Sequence, residues 1–219
     1  NLIFEENIAH STDELAGYSS VIEQKDMRTR LISELLDNRG YGNTRFDAII
    51  GRGGLLHPIE GGVYEAGPDM LDDLSSCRYG EHASNLGALL ATELAEKGET
   101  KSSGERGRPH VFIADPVVVD EMQKVARYSG LPRISRQSIF HALNQKAAAR
   151  EVSGRFGRAY GEVSLIVAHL GGGISVGAHV NGRIIDVNDA LQGDGPFSPE
   201  RAGGLPAWPL LEMCRNENY

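Results

Sequence analysis

Three consecutive glycines, Gly171, Gly172 and Gly173, separate two apolar runs of the sequence. Phosphate oxygens can approach backbone N–H groups closely where no Cβ intervenes, so glycines between two strands can form an anion cradle. No Gly-Lys-Ser/Thr follows, which argues against a Walker A motif, and the next segment has a strand pattern, which argues against a dinucleotide fingerprint. A tight turn that needs positive φ angles is the alternative that the glycines alone leave open.

Two arginines stand among glycines and prolines. Arg201 lies in a stretch rich in Gly and Pro, and Arg52 follows a short apolar run between two glycines. A guanidinium group offers a planar fork of donors that matches phosphate or carboxylate oxygens. Ligands commonly bind at strand ends in open α/β sheets. A surface ion pair for Arg201 and capping of carbonyl groups by Arg52 are the alternatives.

Three histidines and one aspartate lie where predicted elements begin or end. His82 precedes a helix, His141 lies near the start of another, and His169 and Asp115 end strands. No HxxxH motif or cysteine pair accompanies them, so we predict no zinc site. The histidines could be structural, and Asp115 could cap a helix. Together with the arginines and glycines, they form the donor set that phosphoryl transfer requires.

The composition excludes several classes of function. The 219 residues carry a formal net charge of -8, which argues against a broad nucleic-acid surface. No apolar run approaches the length of a membrane span. Cys77 and Cys214 lie far apart and outside any CxxC motif, so we expect reduced thiols and a cytoplasmic protein.

The hydrophobic pattern predicts an alternation of strands and helices, followed by a hairpin. The predicted strands cover residues 2–9, 46–51, 111–114, 164–168, 174–180 and 183–187, with those at 46–51 and 164–168 expected to be buried. The predicted helices cover residues 21–36, 83–97, 118–128 and 138–151. Asn181-Gly182 is a strong hairpin signal. Residues 51–62 and 98–109 are predicted loops.

Several segments resemble butyrate kinases, which are grouped with acetate kinases in the acetokinase family. The most specific is AHLGGGISVGAHVNGRIIDVNDALQGDGPFSPERAGGLP, and the others, in the same order as in the family, are GRGGLLHPIEGG, GEHASNLGALLA, ADPVVVDEM and SIFHALNQKA. The resemblance implies an actin-like, ribonuclease H-like α/β kinase fold of two domains. It also implies ATP and Mg²⁺ as cofactors and a short-chain carboxylate as substrate.

The resemblance implies a role for each candidate residue. Arg52 and Arg201 would bind the carboxylate and the transferring phosphoryl group, and His141 would stabilise that group. Asp115 would order a water bound to Mg²⁺, and no residue is expected to bind the metal directly. His169 with Gly171, Gly172 and Gly173 would hold the ATP phosphates.

Four further positions are expected to contact the substrate: Gly53, Gly54, His82 and Phe140. Acetate kinases have bulkier residues at the positions of Gly53 and Gly54, so glycines there should widen the acyl pocket. Burying two more CH₂ groups stabilises by about 0.8 kcal/mol each, which favours butyrate over acetate roughly tenfold. We expect Arg52, Arg201 and the triple-glycine turn to share one pocket.

The resemblance also predicts the organisation of the chain. Residues 1–160 would form an N-terminal domain that lacks its first strand and phosphate loop, and residues 161–219 would begin a second domain. The sequence would then be an incomplete, weakly active fragment of a kinase that is a homo-oligomer at full length. Acetate or propionate kinase, and a non-catalytic protein with an actin-like fold, are the alternatives.

Overall fold

The computed structural model describes residues 2–101, 108–192 and 194–215, and it divides the chain into two compact units. Unit 1 comprises Asn1–Gly54 and Glu65–Ile113, and unit 2 comprises Leu55–Tyr64 and Ala114–Tyr219. This division by compactness does not test the predicted domain boundary between residues 160 and 161, which stays a prediction.

Unit 1 contains most of a three-stranded sheet, with helices before its first strand and between its strands. The strands have the order β1-β3-β2. They are β1 (Ala48–Arg52), β2 (Val63–Glu65) and β3 (His110–Ala114). The helices are α1 (Thr12–Leu15), α2 (Lys25–Asn38), α3 (Pro68–Ser75) and α4 (Leu86–Lys101). Short 3-10 turns precede α2 and α4.

Two glycines allow β1 and α4 to approach closely. A Cβ at Gly51 would lie 2.3 Å from the carbonyl oxygen of Gly87, and one at Gly87 would lie 2.1 Å from that of Arg52. Neither position can therefore hold a side chain without separating the two backbones. Since Arg52 is the last residue of β1, this contact fixes the backbone from which its side chain projects.

Unit 2 contains an antiparallel sheet with the order β4-β5-β6. The strands are β4 (Ser164–Leu170), β5 (Ile174–Val180) and β6 (Arg183–Val187). The helices are α5 (Ala142–Arg155) and α6 (Ala207–Arg215), with 3-10 turns at Lys124–Arg127 and Tyr160–Glu162. Asn181 and Gly182 have φ angles of 52° and 77°, as the predicted hairpin requires.

An apolar cluster forms the core of unit 2. It consists of Val119, Met122, Phe140, Ala142, Ile184 and Val187, each at most 6% exposed. Helix α5 adds a polar buried face, because Gln145, Lys146 and Ser153 are buried on the same side as Ala142 and Ala149. This combination is unusual, since buried polar groups require hydrogen-bond partners.

Two predicted elements are wrong. Residues 2–9 form no strand and pair with none among the described residues, and Leu2 and Ile3 are exposed. Residues 118–128 form only the turn Lys124–Arg127 instead of a helix. Their backbone groups bind other segments: the N–H of Asp120 donates to Ile59 O, and that of Gln123 to Ile185 O. Those bonds replace the local ones of a helix.

Other predicted elements exist, but the burial of two strands and the ends of two helices differ from the prediction. The strands predicted as buried at residues 46–51 and 164–168 are half exposed; Ile50 is 63% and Ile166 74% exposed. Helix α4 continues to Lys101, inside the predicted loop 98–109, whose residues 102–107 lie outside the described residues. The helix predicted from residue 138 begins at Ala142.

Among the described residues, four helices and strands were not predicted: α1, α3, α6 and β2. Pro68 at the first turn of α3 is a helix-start signal that the sequence does contain. Within the described residues, none of the helices combines the length and apolar character that a membrane span requires.

Candidate functional site

The triple-glycine turn joins β4 to β5 and leaves no room for side chains. A Cβ at Gly171 would lie 3.2 Å from His169 Nε2, and one at Gly173 would lie 3.3 Å from His141 Cε1. A Cβ at Gly172 would lie 2.4 Å from Glu200 Oε1. The glycines therefore let two imidazole rings and the segment of Arg201 come close to the backbone of the turn.

The segment that carries Arg201 is fastened to this turn. Ser198 Oγ and the backbone N–H of Glu200 both donate to the carbonyl oxygen of Gly172, at 2.6 and 3.0 Å. Gly203, with a φ of 70°, permits the return of the chain, since a Cβ there would lie 2.4 Å from Phe197 N. Arg201 Nη1 contacts Glu200 Oε2 at 3.2 Å. Unit 2 thus brings the segment of Arg201 and the triple-glycine turn together, and a pocket that they share with Arg52 stays a prediction.

His141 and His169 lie face to face beside the turn. Their ring centroids are 3.8 Å apart and their planes 8° from parallel. His141 Nδ1 lies 2.9 Å from Ser175 Oγ, and His169 Nδ1 lies 3.1 Å from Asn144 Oδ1. His141 is the residue before α5, and His169 is near the end of β4, so the helix start and the strand end meet here.

Asp115 follows β3 in a backbone conformation with a φ of 37°, which is uncommon for a residue with a side chain. The residue is 4% exposed, and its Oδ2 accepts a hydrogen bond of 2.8 Å from Arg150 Nη1. Its Oδ1 is buried and has no hydrogen-bond partner among the described residues. A buried carboxylate oxygen of this kind is an unfilled acceptor that a water molecule on a cation could satisfy.

A buried ion pair lies in the same unit. Lys146 Nζ is 2.8 Å from Glu121 Oε1, and both side chains are at most 4% exposed. Burial by itself raises the pKa of Glu121, but donors from Lys146, Ile184 N and Gly61 N outweigh it and hold that pKa below its usual value. Glu121 is therefore a buried anion, and Lys146 is its counter-ion.

Asn188 joins β5 to the segment that leads towards Arg201. Its Oδ1 accepts from Val176 N at 2.7 Å, and its Nδ2 donates to Ile174 O and Asp194 O. Sequence reasoning missed Asn188, although a polar residue directly after a strand and near a Gly-rich stretch was a usable signal.

Four predicted residues belong to unit 1: Arg52, Gly53, Gly54 and His82. A Cβ at Gly54 would lie 2.6 Å from Asn85 Cα and 2.7 Å from Leu74 Cδ2. The expectation that Gly54 widens an acyl pocket is therefore wrong at the position of its missing Cβ, because atoms of Asn85 and Leu74 fill that space. The convergence of Arg52 with the residues of unit 2 stays a prediction.

His82 has a defined proton arrangement. The backbone N–H of Ser84 donates to His82 Nδ1 at 3.2 Å, so this nitrogen must be an acceptor. When the ring is neutral, its proton is on Nε2. A contact between His82 and the substrate stays a prediction.

Phe140 is predicted to contact the substrate, and its side chain is 2% exposed within the core of unit 2. Its backbone N–H donates to Val117 O at 3.0 Å. This packing fixes the backbone directly before His141. A direct contact between Phe140 and a substrate stays a prediction.

The site offers donors to an anion and few ligands to a metal. Across residues 2–101, 108–192 and 194–215, no group of three or more His, Cys, Asp or Glu side chains could hold a metal ion. The carboxylate of Glu200 lies next to Gly172 of the predicted phosphate site. Asp115 is the residue predicted to order a metal-bound water, and its Oδ1 is buried.

Comparisons with known proteins confirm the resemblance to butyrate kinases. The chain is 52% identical over 213 residues to a probable butyrate kinase of Listeria innocua, and 51% identical to one of Listeria monocytogenes. Each alignment covers 97% of this chain and 58% of the relative, so the chain spans less than two thirds of their length. No protein-family model matches the chain.

Solved structures confirm the predicted fold. Acetate kinase of Porphyromonas gingivalis has a TM-score of 0.67 and 18% identity, covering 88% of this chain and 50% of that one. A propionate kinase of Francisella tularensis has a TM-score of 0.61 and 18% identity, covering 89% and 50%. At this identity the likeness establishes the fold alone, which is the actin-like α/β fold of these kinases.

Proposed function

Because the chain is a homologue of probable butyrate kinases over almost its whole length, we propose that it forms part of a carboxylate kinase. The protein would transfer the γ-phosphoryl group of ATP to butyrate, or to a related short or branched carboxylate, in a reversible reaction. We further propose that a protein of the relatives' length contains these residues, and call it the full-length protein.

One observation carries the proposal: unit 2 gathers Arg201, His141, His169 and the triple-glycine turn around one short loop. Catalysis of phosphoryl transfer depends mainly on positioning and on stabilising charge, so it requires donors at fixed places rather than a strong base. A carboxylate is already a nucleophile at neutral pH. This donor-rich site therefore suits the direct, in-line attack of a carboxylate oxygen on phosphorus.

Each residue then has a role in the proposed reaction. Backbone N–H groups of the triple-glycine turn and His169 would hold the phosphates of ATP. Arg201, Arg52 and His141 would stabilise charge on the phosphoryl group in transit. Mg²⁺ would neutralise the ATP phosphates, and the unfilled Oδ1 of Asp115 would order one of the water molecules on the metal.

Acetate or propionate kinase is the second candidate. The solved structures with this fold are acetate and propionate kinases, but their low identity supports the fold and not the substrate. The relatives at 50–52% identity are named as butyrate kinases, which favours the longer acid. A non-catalytic protein with this fold is the third candidate, and the presence of Arg201 and His141 argues against it.

The test is an assay of the full-length protein with ATP, Mg²⁺ and a series of carboxylates. Hydroxylamine converts an acyl phosphate to a hydroxamate, which is measured by its colour with iron. We expect butyrate or isobutyrate to give a higher kcat/KM than acetate. Equal kcat/KM values for these acids would indicate a general short-chain acid kinase. If no acid gave a hydroxamate, the non-catalytic alternative would be favoured.

A further inference from the structure

Five polar side chains form a continuous hydrogen-bonded series in unit 2, which we call the polar network: Tyr160, His179, Gln145, Ser175 and His141. Tyr160 Oη lies 2.7 Å from His179 Nδ1, and His179 Nε2 lies 3.0 Å from Gln145 Oε1. Gln145 Nε2 lies 2.7 Å from Ser175 Oγ, which in turn lies 2.9 Å from His141 Nδ1. The network ends at the histidine to which we assign charge stabilisation.

The secondary structure places these side chains opposite one another. Ser175, Gly177 and His179 alternate along β5 and share its buried face, and Gln145 lies on the buried face of α5. A Cβ at Gly177 would lie 2.4 Å from Gln145 Oε1 and 3.3 Å from His179 Nε2. Glycine at this position therefore makes room for the contact between His179 and Gln145. Ser175, His179 and Gln145 are each 0% exposed.

A backbone carbonyl group fixes the direction of the hydrogen bonds. The side-chain amide of Gln145 lies 3.1 Å from the backbone oxygen of Ser175, which can only accept. The nearby amide atom must therefore be Nε2, and Oε1 must face His179. Since Oε1 can only accept, His179 Nε2 carries a proton and donates it.

The far end of the network follows from the state of His179. Burial is the main cause that lowers the pKa of His179 to about 4, so its ring is neutral at neutral pH. With the proton on Nε2, its Nδ1 accepts from the hydroxyl group of Tyr160. Burial also raises the pKa of Tyr160 to about 12, which keeps that hydroxyl group protonated.

The near end follows from Ser175. Its Oγ accepts from Gln145 Nε2, and its own hydrogen needs an acceptor because the residue is fully buried. In the part of the chain that the structure describes, His141 Nδ1 is the acceptor within reach. If Nδ1 accepts this hydrogen, the ring proton of His141 is on Nε2. The ring edge with Cε1 and Nε2 faces Gly173, with Nε2 3.5 Å from the position of a Cβ there.

We propose that Tyr160, His179, Gln145 and Ser175 are positioning residues that hold the proton of His141 on Nε2, facing the triple-glycine turn. The inference rests on the proposed function, because an Nε2–H donor matters where a phosphoryl group passes. With the proton on Nδ1 instead, Nε2 would turn a lone pair towards the phosphoryl oxygens and repel them. The network thus selects the useful tautomer before the substrate binds.

Nuclear magnetic resonance of the full-length protein tests the tautomer directly. With ¹⁵N-labelled histidine, long-range ¹H–¹⁵N spectra distinguish a protonated from an unprotonated ring nitrogen, and His141→Gln identifies the signals of His141. We expect Nε2 of His141 to be protonated and Nδ1 to be an acceptor. In Ser175→Ala, which removes the donor to Nδ1, we expect the signals to become a mixture of both tautomers.

Kinetics test the consequence. We expect Ser175→Ala to lower kcat about tenfold or more while KM for ATP changes less than about twofold, in line with the effect of removing partners that orient functional histidines. Tyr160→Phe, at the far end, should lower kcat less. Ser153→Ala is the matched control for serine, since its buried Oγ donates to Ala149 O in the same helix and lies outside the network.

Tyr64→Phe is the matched control for Tyr160→Phe, because Tyr64 Oη donates to the backbone oxygen of Glu60 and lies outside the polar network. Both controls should keep kcat within about twofold of the parent. If Ser175→Ala does not fold, Tyr160→Phe and the spectra of the parent decide the question. Thermal melting of every variant separates a loss of folding from a loss of rate.

The outcomes separate this inference from the proposed function. A protein that makes acyl phosphate but has the proton of His141 on Nδ1 would overturn the inference alone. Unchanged kcat and unchanged His141 signals in Ser175→Ala would do the same. A protein that makes no acyl phosphate would defeat the proposed function, and the spectra would still decide whether the network sets the tautomer.

Discussion

His141 and His169 stack with ring centroids 3.8 Å apart, although 28 positions separate them in the sequence. The stack joins the residue before α5 to the end of β4, directly beside the triple-glycine turn. His141 is thus held from two sides: Ser175 binds its Nδ1, and His169 covers one face of its ring. Its orientation depends on both contacts.

The stack predicts different effects for two substitutions of His169. His169→Phe keeps a ring against His141, and His169→Ala removes it. If His169 binds phosphate, both variants should raise KM for ATP, while kcat should fall further in His169→Ala because His141 loses its packing. Steady-state kinetics of the full-length protein measure both constants, and an equal kcat in the two variants would contradict a role for stacking.

Arg201→Ala should abolish most activity without unfolding the protein. An arginine that stabilises the transferring phosphoryl group contributes about 10³-fold or more to kcat. The only ion pair of Arg201 in the described residues is with the exposed Glu200, and such pairs contribute little to stability. The melting temperature should therefore stay close to that of the parent.

Arg201→Lys and Arg183→Ala are the controls for this prediction. Lysine keeps the charge but lacks the planar fork, so Arg201→Lys should recover only part of kcat. Arg183 is half exposed on β6 and pairs with Glu60, so Arg183→Ala should keep normal turnover. Normal turnover in Arg201→Ala would instead remove Arg201 from the mechanism.

Two helical glycines should respond in opposite ways to alanine. A Cβ at Gly87 would collide with the backbone of Arg52, whereas nothing lies within 4 Å of a Cβ at Gly154. Gly87→Ala should therefore destabilise the protein by separating α4 from β1. Gly154→Ala, at an open position of α5, should stabilise it by up to about 1 kcal/mol.

Melting temperatures of these two alanine variants check the prediction. Because Gly87 lies against the end of β1, Gly87→Ala should also raise KM for the carboxylate if Arg52 binds it. A Gly87→Ala variant as stable as Gly154→Ala would show that α4 and β1 do not need this close approach.

His179 should make stability depend on pH. Its pKa in the folded protein is about 4, below the usual 6.5, because burial disfavours the charged ring. As pH falls from 6.5 towards 4, the unfolded chain gains a proton that the folded chain does not, so stability present above pH 6.5 is lost. At pH values below the pKa of His179 in the folded protein, the lost stability approaches about 3 kcal/mol, since each pKa unit of difference corresponds to 1.36 kcal/mol.

Melting temperatures of the full-length protein between pH 6.5 and pH 4 test this loss. His179→Gln removes the titrating ring, so its melting temperature should be lower at pH 6.5 but should fall less on acidification. His110→Gln is the control, since His110 is an exposed histidine beside Glu65 and lies outside the polar network. Equal slopes in all three proteins would mean that His179 is not buried neutral.

Local chemistry in the sequence was enough to predict several features of the site. Asn181-Gly182 predicted the second hairpin because both residues adopt positive φ angles readily. The triple glycine predicted an anion cradle, which stays a prediction, and the structure shows protein side chains close to these glycines. The grouping of Arg201 with that turn also followed from the resemblance. The hairpin and the glycine turn depend on residue types that are close in sequence, whereas the grouping of Arg201 with the turn does not.

The features that the sequence did not predict depend on tertiary contacts. Gln145 and His179 are 34 positions apart, and only the packing of α5 on the sheet shows that they meet. Likewise, residues 118–128 have an apolar pattern that suits a helix, yet distant carbonyl groups such as Ile59 O capture their N–H groups. A short segment of sequence does not include the distant residues that bind it, so neither contact could be predicted from local patterns.

The carbonyl oxygen of Gly172 accepts from both Ser198 and Glu200, and this double acceptance has a mechanical consequence. A movement of the Gly172 carbonyl group would therefore shift the segment that carries Arg201. If ATP binds at the triple-glycine turn as proposed, its binding and the position of Arg201 are coupled through one oxygen atom, which predicts an ordered addition of the two substrates.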